Sequence, residues 1–366
     1  MNIYQSITYI SKTNQTRISF ARLTAELLYL VIVLAIVAVA GCNFNAPKVR
    51  IGFLPTSTFG ISFPNPNNLG QHSYRFSLFE NGGIVYTCKA GHIDIDHVRG
   101  CADATKYLVS KTRECLMKGK EGFSFTFTME RSAHQIKFSY PQNWSNLPRN
   151  EKEKIAEEIS FAVGPYVAFN GTVWHEILTW FGTHFAGFEP EFNSAFTWED
   201  VYSNLIGSRL AVEALKDPNH SYNEAMTAAI SRELIELGVQ PAKKAKEASE
   251  KMRGKWFTGN LVIDTLKKNT DIGLDGFVTP VIVPGICEDE PLSLAVPDLD
   301  ILSNYGLSIK YTILPKEFEK GKILRIIYPD GNGKTIEPAK DFPKIMEFIE
   351  KEATEKYGYD IGAKQN

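Results

Sequence analysis

The sequence predicts an α+β fold with a helical centre, a β-hairpin before it and a small mixed sheet from the C-terminal third. Three observations lead there. Phe123, Phe125, Phe127 and Met129 alternate strictly, and Ile136, Phe138 and Tyr140 do likewise, which is the period of strands. Long segments after Glu151 carry apolar residues at helical spacing. The last third instead shows short apolar runs cut by Gly, Pro and Asp.

In chain order, Leu27 to Gly41 (LLYLVIVLAIVAVAG) is an apolar run preceded by Lys12, Arg17 and Arg22 and followed at once by Cys42. That is the layout of a secretory signal, and the run is short for a membrane span, which needs roughly twenty residues. The small residues before the cysteine resemble a lipobox, so residues 1–41 are expected to be a lipoprotein signal peptide with Cys42 lipidated. Residues 42–80, rich in Asn, Pro, Gly and Ser, read as the lipidated N-terminus and tether, and residues 81–366 as a single α+β domain. Within it, Gly83 to Cys88 is a strand candidate, and Asp94 to about Lys118 has helical spacing with Asp94 as N-cap. Glu130 to Ala133 would turn the hairpin. Glu151 to about Trp180 is a long helix in which Gly164-Pro165 predicts a kink or a break into two. Thr197-Trp-Glu-Asp200 and Ser221-Tyr-Asn-Glu224 have the form of capping boxes, and a charged helix follows Pro241. Phe277 to Val283, Leu307 to Ile313 and Ile323 to Tyr328 read as strands, with a closing helix near Pro343 to Lys356.

Composition narrows the function classes. The 366 residues carry a formal charge of −2; removal of residues 1–41 takes three basic and one acidic residue, leaving −4. No basic face points to nucleic acid. No GxGxxG, P-loop, GxSxG or CxxCH is present, so nucleotide binding and serine-hydrolase chemistry of those kinds lack support. Besides Cys42 the cysteines are Cys88, Cys101, Cys115 and Cys287, an even number for an oxidising compartment. Three pairings are open; a bond from Cys88 to Cys101 or Cys115 competes with a role for Cys88 as nucleophile, with His97 or His175 as base.

Three short stretches carry the candidate chemistry: Tyr86 to Arg99, Trp174 to Gly182 and Ser194 to Gly207. His175-Glu176 on a helix opens the HExxH zinc motif, but the second histidine position is Thr179, a poor ligand. An ion, zinc or another divalent metal, would need further ligands, for which His97 and Asp200, or neighbouring Glu199, are the candidates. The competing structural reading makes His175 a core histidine, Glu176 a partner of Arg99 or a lysine, and Asp94 and Asp200 capping residues. Asp271 to Gly276 has a faint calcium-loop look without the spacing of an EF-hand and reads as a turn.

These stretches resemble an uncharacterised bacterial family of envelope lipoproteins, domain of unknown function 4056. Tyr86 to Arg99 matches its YTC-x-x-G-x-ID-x-x-H-x-R pattern, His175 to Gly182 its HEI-x-TWFG, and Glu199 to Gly207 its ED-x-YSN-x-x-G. A fourth match is Asp271-Ile-Gly-Leu-Asp275-Gly276. The resemblance implies an envelope location and brings no activity with it. The expectation is a lipoprotein anchored to the membrane through Cys42, with Asn43 favouring the outer membrane, facing the periplasm. Its leading activity is metal-dependent hydrolysis of an envelope polymer or peptide, with His97, His175 and Asp200 as ligands and Glu176 as general base. The alternatives are a non-catalytic scaffold or binding lipoprotein with a buried polar network, and a hydrolase that depends on Cys88.

Overall fold

The computed structural model describes residues 56, 61–75, 79–127, 130–182, 191–258 and 265–362. The expected signal peptide, residues 1–41, and the expected lipidation site, Cys42, lie outside the described residues.

A first hairpin pairs β1 (Ile84–Thr87) with β2 (Gly91–Asp94), and the turn between them is closed by Thr87 Oγ1, which accepts the Ala90 N–H at 3.1 Å. β2 was not legible as a strand. It runs directly into α1 (Ile95–Met117), whose N-cap is Asp94. A second hairpin follows, β3 (Gly122–Phe125) and β4 (Ala133–Ser139). Its alternation puts Ile136 and Phe138 into the core.

α2 (Arg149–Trp180) is one continuous helix with Pro165 inside it, so of the kink or break expected at Gly164-Pro165 the break does not occur. Proline removes one backbone hydrogen bond, and tertiary packing outweighs that loss. At Gly164 the helix lies against α1 so closely that a Cβ would stand 2.4 Å from Val109 Cγ2 and 3.0 Å from the Val109 nitrogen. α3 (Asp200–Lys216) crosses α1 nearer its start, at Gly207, where a Cβ would stand 2.1 Å from the Val98 carbonyl oxygen. α4 (Tyr222–Glu236) starts with the expected Ser221/Glu224 capping box, and α5 (Ala242–Met252) follows Pro241.

The C-terminal third supplies small separate sheets. β5 (Lys267–Lys268) pairs in parallel with β9 (Asp360–Ile361), and β6 (Phe277–Val278) pairs antiparallel with β7 (Leu294–Ala295). The expected strand from Phe277 to Val283 is thus only two residues of ladder. β8 (Ser308–Leu314) is the long strand, and it joins the second hairpin in a sheet ordered β3-β4-β8. Ile323 to Tyr328 is a helix, α6 (Lys320–Ile327), not the expected strand. Its buried pair Ile323 and Ile327 lies four residues apart, so one helix face meets the core. α7 (Pro338–Glu352) begins five residues before the expected Pro343, which it accommodates in its second turn.

The fold class is therefore α+β with α1, α2 and α3 packed together at the centre. No helix among the described residues is long and apolar enough to cross a membrane.

Candidate active site

The close crossings at Gly164 and Gly207 bring the start of α1, the last turns of α2 and the start of α3 together. Asp94 Oδ1 accepts the N–H groups of Asp96 and His97 at 2.7 and 3.2 Å, which fixes the first turn of α1. Ser203 Oγ accepts the Asp94 N–H at 2.9 Å and donates to the Glu199 carbonyl at 2.6 Å, tying that turn to α3. His97 Nδ1 then lies 2.9 Å from Asp94 Oδ2 and 3.6 Å from Asp200 Oδ1. The 2.9 Å contact lacks hydrogen-bond alignment, so both Nδ1 and Asp94 Oδ2 are buried atoms without a hydrogen bond. The His97 side chain as a whole is 23 % exposed, against 1 % for Asp94 and 5 % for Asp200.

The expected capping box is half formed: the Asp200 carboxylate reaches back to Thr197, but the Asp200 N–H goes to the Thr197 carbonyl and not to its hydroxyl. Asp200 Oδ2 accepts both the N–H and the hydroxyl of Thr197, at 3.0 and 2.7 Å, and the helix begins at Asp200 with Glu199 in the cap position. Glu199 turns inward, where Oε1 accepts the N–H and hydroxyl of Thr56, each at 2.6 Å, and Oε2 has no hydrogen bond. Glu176, on α2, accepts the N–H of Phe196 at 2.7 Å. Phe196 is fully buried and sits at φ 52°, a left-handed conformation rare for a residue with a side chain.

Three buried carboxylates, Asp94, Glu176 and Asp200, thus act on one imidazole, and a fourth, Glu199, neighbours Asp94 and Asp200. Burial, then the charge of Glu176, pushes the Asp200 carboxyl well above the usual range, and burial also raises Glu199. Burial alone would lower His97, but Asp94 and Asp200 outweigh it and hold the ring well above its ordinary value. A second cation completes the group. Lys268, fully buried on β5, donates to the carbonyls of Ala195 and Asn193 at 2.7 and 2.9 Å. Burial pushes its ammonium down to about 7, against the pull of Asp200, Glu176 and Glu199.

His175 joins a different network. Adjacent positions on a helix are about 100° apart, and here Glu176 faces the cluster while His175 Nδ1 lies 3.5 Å from Glu130 Oε1. Glu130 Oε2 is 3.2 Å from His134 Nε2, and His134 Nδ1 is 2.7 Å from the Tyr311 hydroxyl. Burial would raise the Glu130 carboxyl, but contacts with His134 and His175 reverse the shift and hold it low. Of the expected site residues, the fold therefore brings together His97, Asp200 and Glu176, and sets His175 beside Glu130.

Among the described residues, one trio of histidine, cysteine or acidic ligand atoms lies within 4.8 Å of one another: Cys88, Cys287 and Asp289. Both of those sulfurs are consumed in the Cys88–Cys287 disulfide. That bond corrects two expectations. Cys88 is neither paired with Cys101 nor a free nucleophile; Cys101 is a buried free thiol in α1, pushed by burial up to about 12. The Asp271 loop is a turn, with Asp271 accepting the N–H groups of Gly273 and Thr279 at 3.1 and 2.9 Å.

The sequence reading missed Lys268, Glu130, His134 and Tyr311, which no short-range pattern marks, and weighed Asp94 only as a cap. No curated protein and no solved structure matches the chain. Residues 41–265, more than half of the sequence, match the family described as Protein of unknown function (DUF4056), and the chain belongs to that family.

Proposed function

We propose that this protein is an outer-membrane lipoprotein, anchored through Cys42, that hydrolyses an envelope polymer or peptide with the help of a divalent cation. The ion's ligands are Asp94, His97 and Asp200, and Glu176 is the general base on a bound water. His175 leaves the ligand set because its Nδ1 is directed at Glu130. One observation carries the reading: four buried carboxylates gather around His97 and Lys268, with Asp94 Oδ2, Glu199 Oε2 and His97 Nδ1 all lacking hydrogen bonds. A buried excess of acid is stable only with protons or a cation to neutralise it, and a carboxylate–imidazole donor set suits zinc and similar ions. Asp94, His97 and Asp200 would need a side-chain adjustment to hold the ion together, since their ligand atoms do not form a trio within 4.8 Å. The Cys88–Cys287 disulfide favours an oxidising compartment, in keeping with export.

The near-complete burial of the four carboxylates favours a second reading, a non-catalytic binding lipoprotein with the cluster as its structural centre. Elemental analysis of the full chain, purified without a polyhistidine tag, separates the two. About one ion per chain, lost in His97→Ala and retained in His175→Ala, supports the metal centre. A folded, metal-free protein sinks it, and loss of the ion in His175→Ala alone would refute the ligand set.

A further inference from the structure

A cleft of about 790 Å³ opens where the C-terminal end of α2 meets α6 and α7. That is within the range of small-molecule sites, roughly 300–1,000 Å³. Three kinds of group line it. Phe348 presents aromatic surface, 39 % exposed, against a floor of buried Trp180 and Phe181, and Tyr357 walls that side, its ring stacked on Tyr359 at 5.6 Å with Lys356 Nζ 4.9 Å from its centre. Both are braced: Phe348 stacks on Phe181 at 5.9 Å, and Tyr357 meets the Trp180 ring edge-on at 6.0 Å. Next, Glu352 accepts the Trp180 indole N–H at 3.0 Å and pairs with Lys356 at 3.2 Å, so a fixed acceptor and donor stand together at the rim. Finally, Lys322 and Arg325 lie three residues apart on α6, hence on one face, and no ion pair to a carboxylate occupies either among the described residues.

Each group asks for a different part of a ligand. An exposed aromatic ring covers the C–H face of a sugar ring, and a neighbouring carboxylate and ammonium bind its hydroxyls. A guanidinium and an ammonium with no carboxylate partner, Lys322 Nζ donating only to the Phe181 carbonyl at 3.4 Å, bind an acid group. A plain anion would leave the Phe348 face wet. We propose that this cleft binds an anionic saccharide, a sugar carrying a carboxylate or a phosphate. Trp180 lies four residues after Glu176 on α2, so the two share a helix face roughly 6 Å apart along the axis. Tyr359 links them as well: it packs on Trp180 at 6.1 Å, and Lys268, which neighbours the acidic cluster, lies 5.4 Å from its ring centre. The inference deepens the hydrolase reading by naming its substrate class, and rests on that reading for the link to chemistry alone.

The test is direct binding to the full chain in detergent, with EDTA present so that a failed metal centre does not count against the cleft. Calorimetry would compare trigalacturonate, glucose 6-phosphate, maltotriose and inorganic phosphate, the first two distinguishing carboxylate from phosphate as the acid group. The expected result is that one charged sugar binds at least tenfold more tightly than maltotriose or inorganic phosphate. Lys322→Ala/Arg325→Ala should weaken it at least tenfold, and Phe348→Ala several-fold; all three side chains are exposed, and circular dichroism checks the fold. The proposal is overturned if neither charged sugar binds, if inorganic phosphate binds as tightly, or if either variant leaves binding unchanged.

Discussion

Glu176 is the side chain whose replacement separates structure from chemistry most cleanly. Its Oε2 accepts the Phe196 N–H at 2.7 Å, within a buried turn that Phe196 enters at φ 52°. A left-handed conformation costs a non-glycine residue roughly 1–2 kcal/mol, so the turn depends on contacts that fix it, and a hydrogen bond to a charged group contributes about 1.5–3 kcal/mol. Glu176→Ala removes that bond and strands a buried donor. Glu176→Gln keeps an acceptor oxygen in place. Both substitutions relieve the repulsion that Glu176 exerts on Asp200 by the same loss of charge, so the relief cancels in their difference. Alanine should therefore be less stable than glutamine by about 1–3 kcal/mol, read from urea unfolding in EDTA with matched m-values. On the proposed hydrolase reading, the glutamine variant would keep the ion and lose the ability to activate water, which makes it the control for any hydrolase screen. Equal stability of the two variants, within about 0.5 kcal/mol, would refute the claim that Glu176 holds the Phe196 turn.

Other outcomes follow from the same geometry. Because contacts with His134 and His175 hold the Glu130 carboxyl below its unfolded value, its contribution is present above pH about 4.3 and lost as pH falls through the lower folded value; Glu130→Gln should flatten the acid limb of stability against pH, and an unchanged limb would contradict the network. Gly207→Ala drives a Cβ to 2.1 Å from the Val98 carbonyl oxygen and should cost about 1–3 kcal/mol or more by thermal unfolding; a neutral effect would mean that α1 and α3 do not cross so closely. The Cys88–Cys287 bond spans a sequence separation of 199, and replacing both cysteines by alanine should cost about 2–5 kcal/mol, while thiol labelling of the unfolded native protein should leave those two protected until reduction.

Where local chemistry decides the outcome, the sequence was readable. Asp94 caps α1, Ser221 and Glu224 form their box, and the alternation at Ile136 and Phe138 sets the face of β4 that enters the core. Ile323 to Tyr328 was misread because a short apolar run fits strand and helix alike; only the contact made by Ile323 and Ile327 arbitrates. The site divides the same way. His97 and Asp200 were legible as polar residues in apolar segments, yet whether His175 or Glu176 faces them depends on the rotation of α2, which the contact at Gly164 fixes against α1. Lys268 feels the carboxylates from β5, which pairs with β9 near the chain's end, a parallel contact that no local pattern encodes.

The tether length turns the anchor proposal into a distance. Thr56 is bound to Glu199 inside the cluster, and it follows Cys42 by fourteen residues. A fully extended chain spans at most about 3.5 Å per residue, so a lipid on Cys42 keeps the cluster within roughly 50 Å of the membrane surface. A polymer deep in the wall would be out of reach, whereas one lying against the membrane would not. Energy transfer measures this directly. A donor dye on Asn81→Cys, an exposed position near the start of α1 where the remaining free thiols are buried, would be read against acceptor lipids in vesicles. Strong transfer is expected, falling when about twenty Gly/Ser residues are inserted after Asn45, since that adds up to roughly 70 Å of reach. Absence of transfer in the lipidated protein would show that Thr56 does not stay on Glu199, and with it the bound on where the substrate lies would fail.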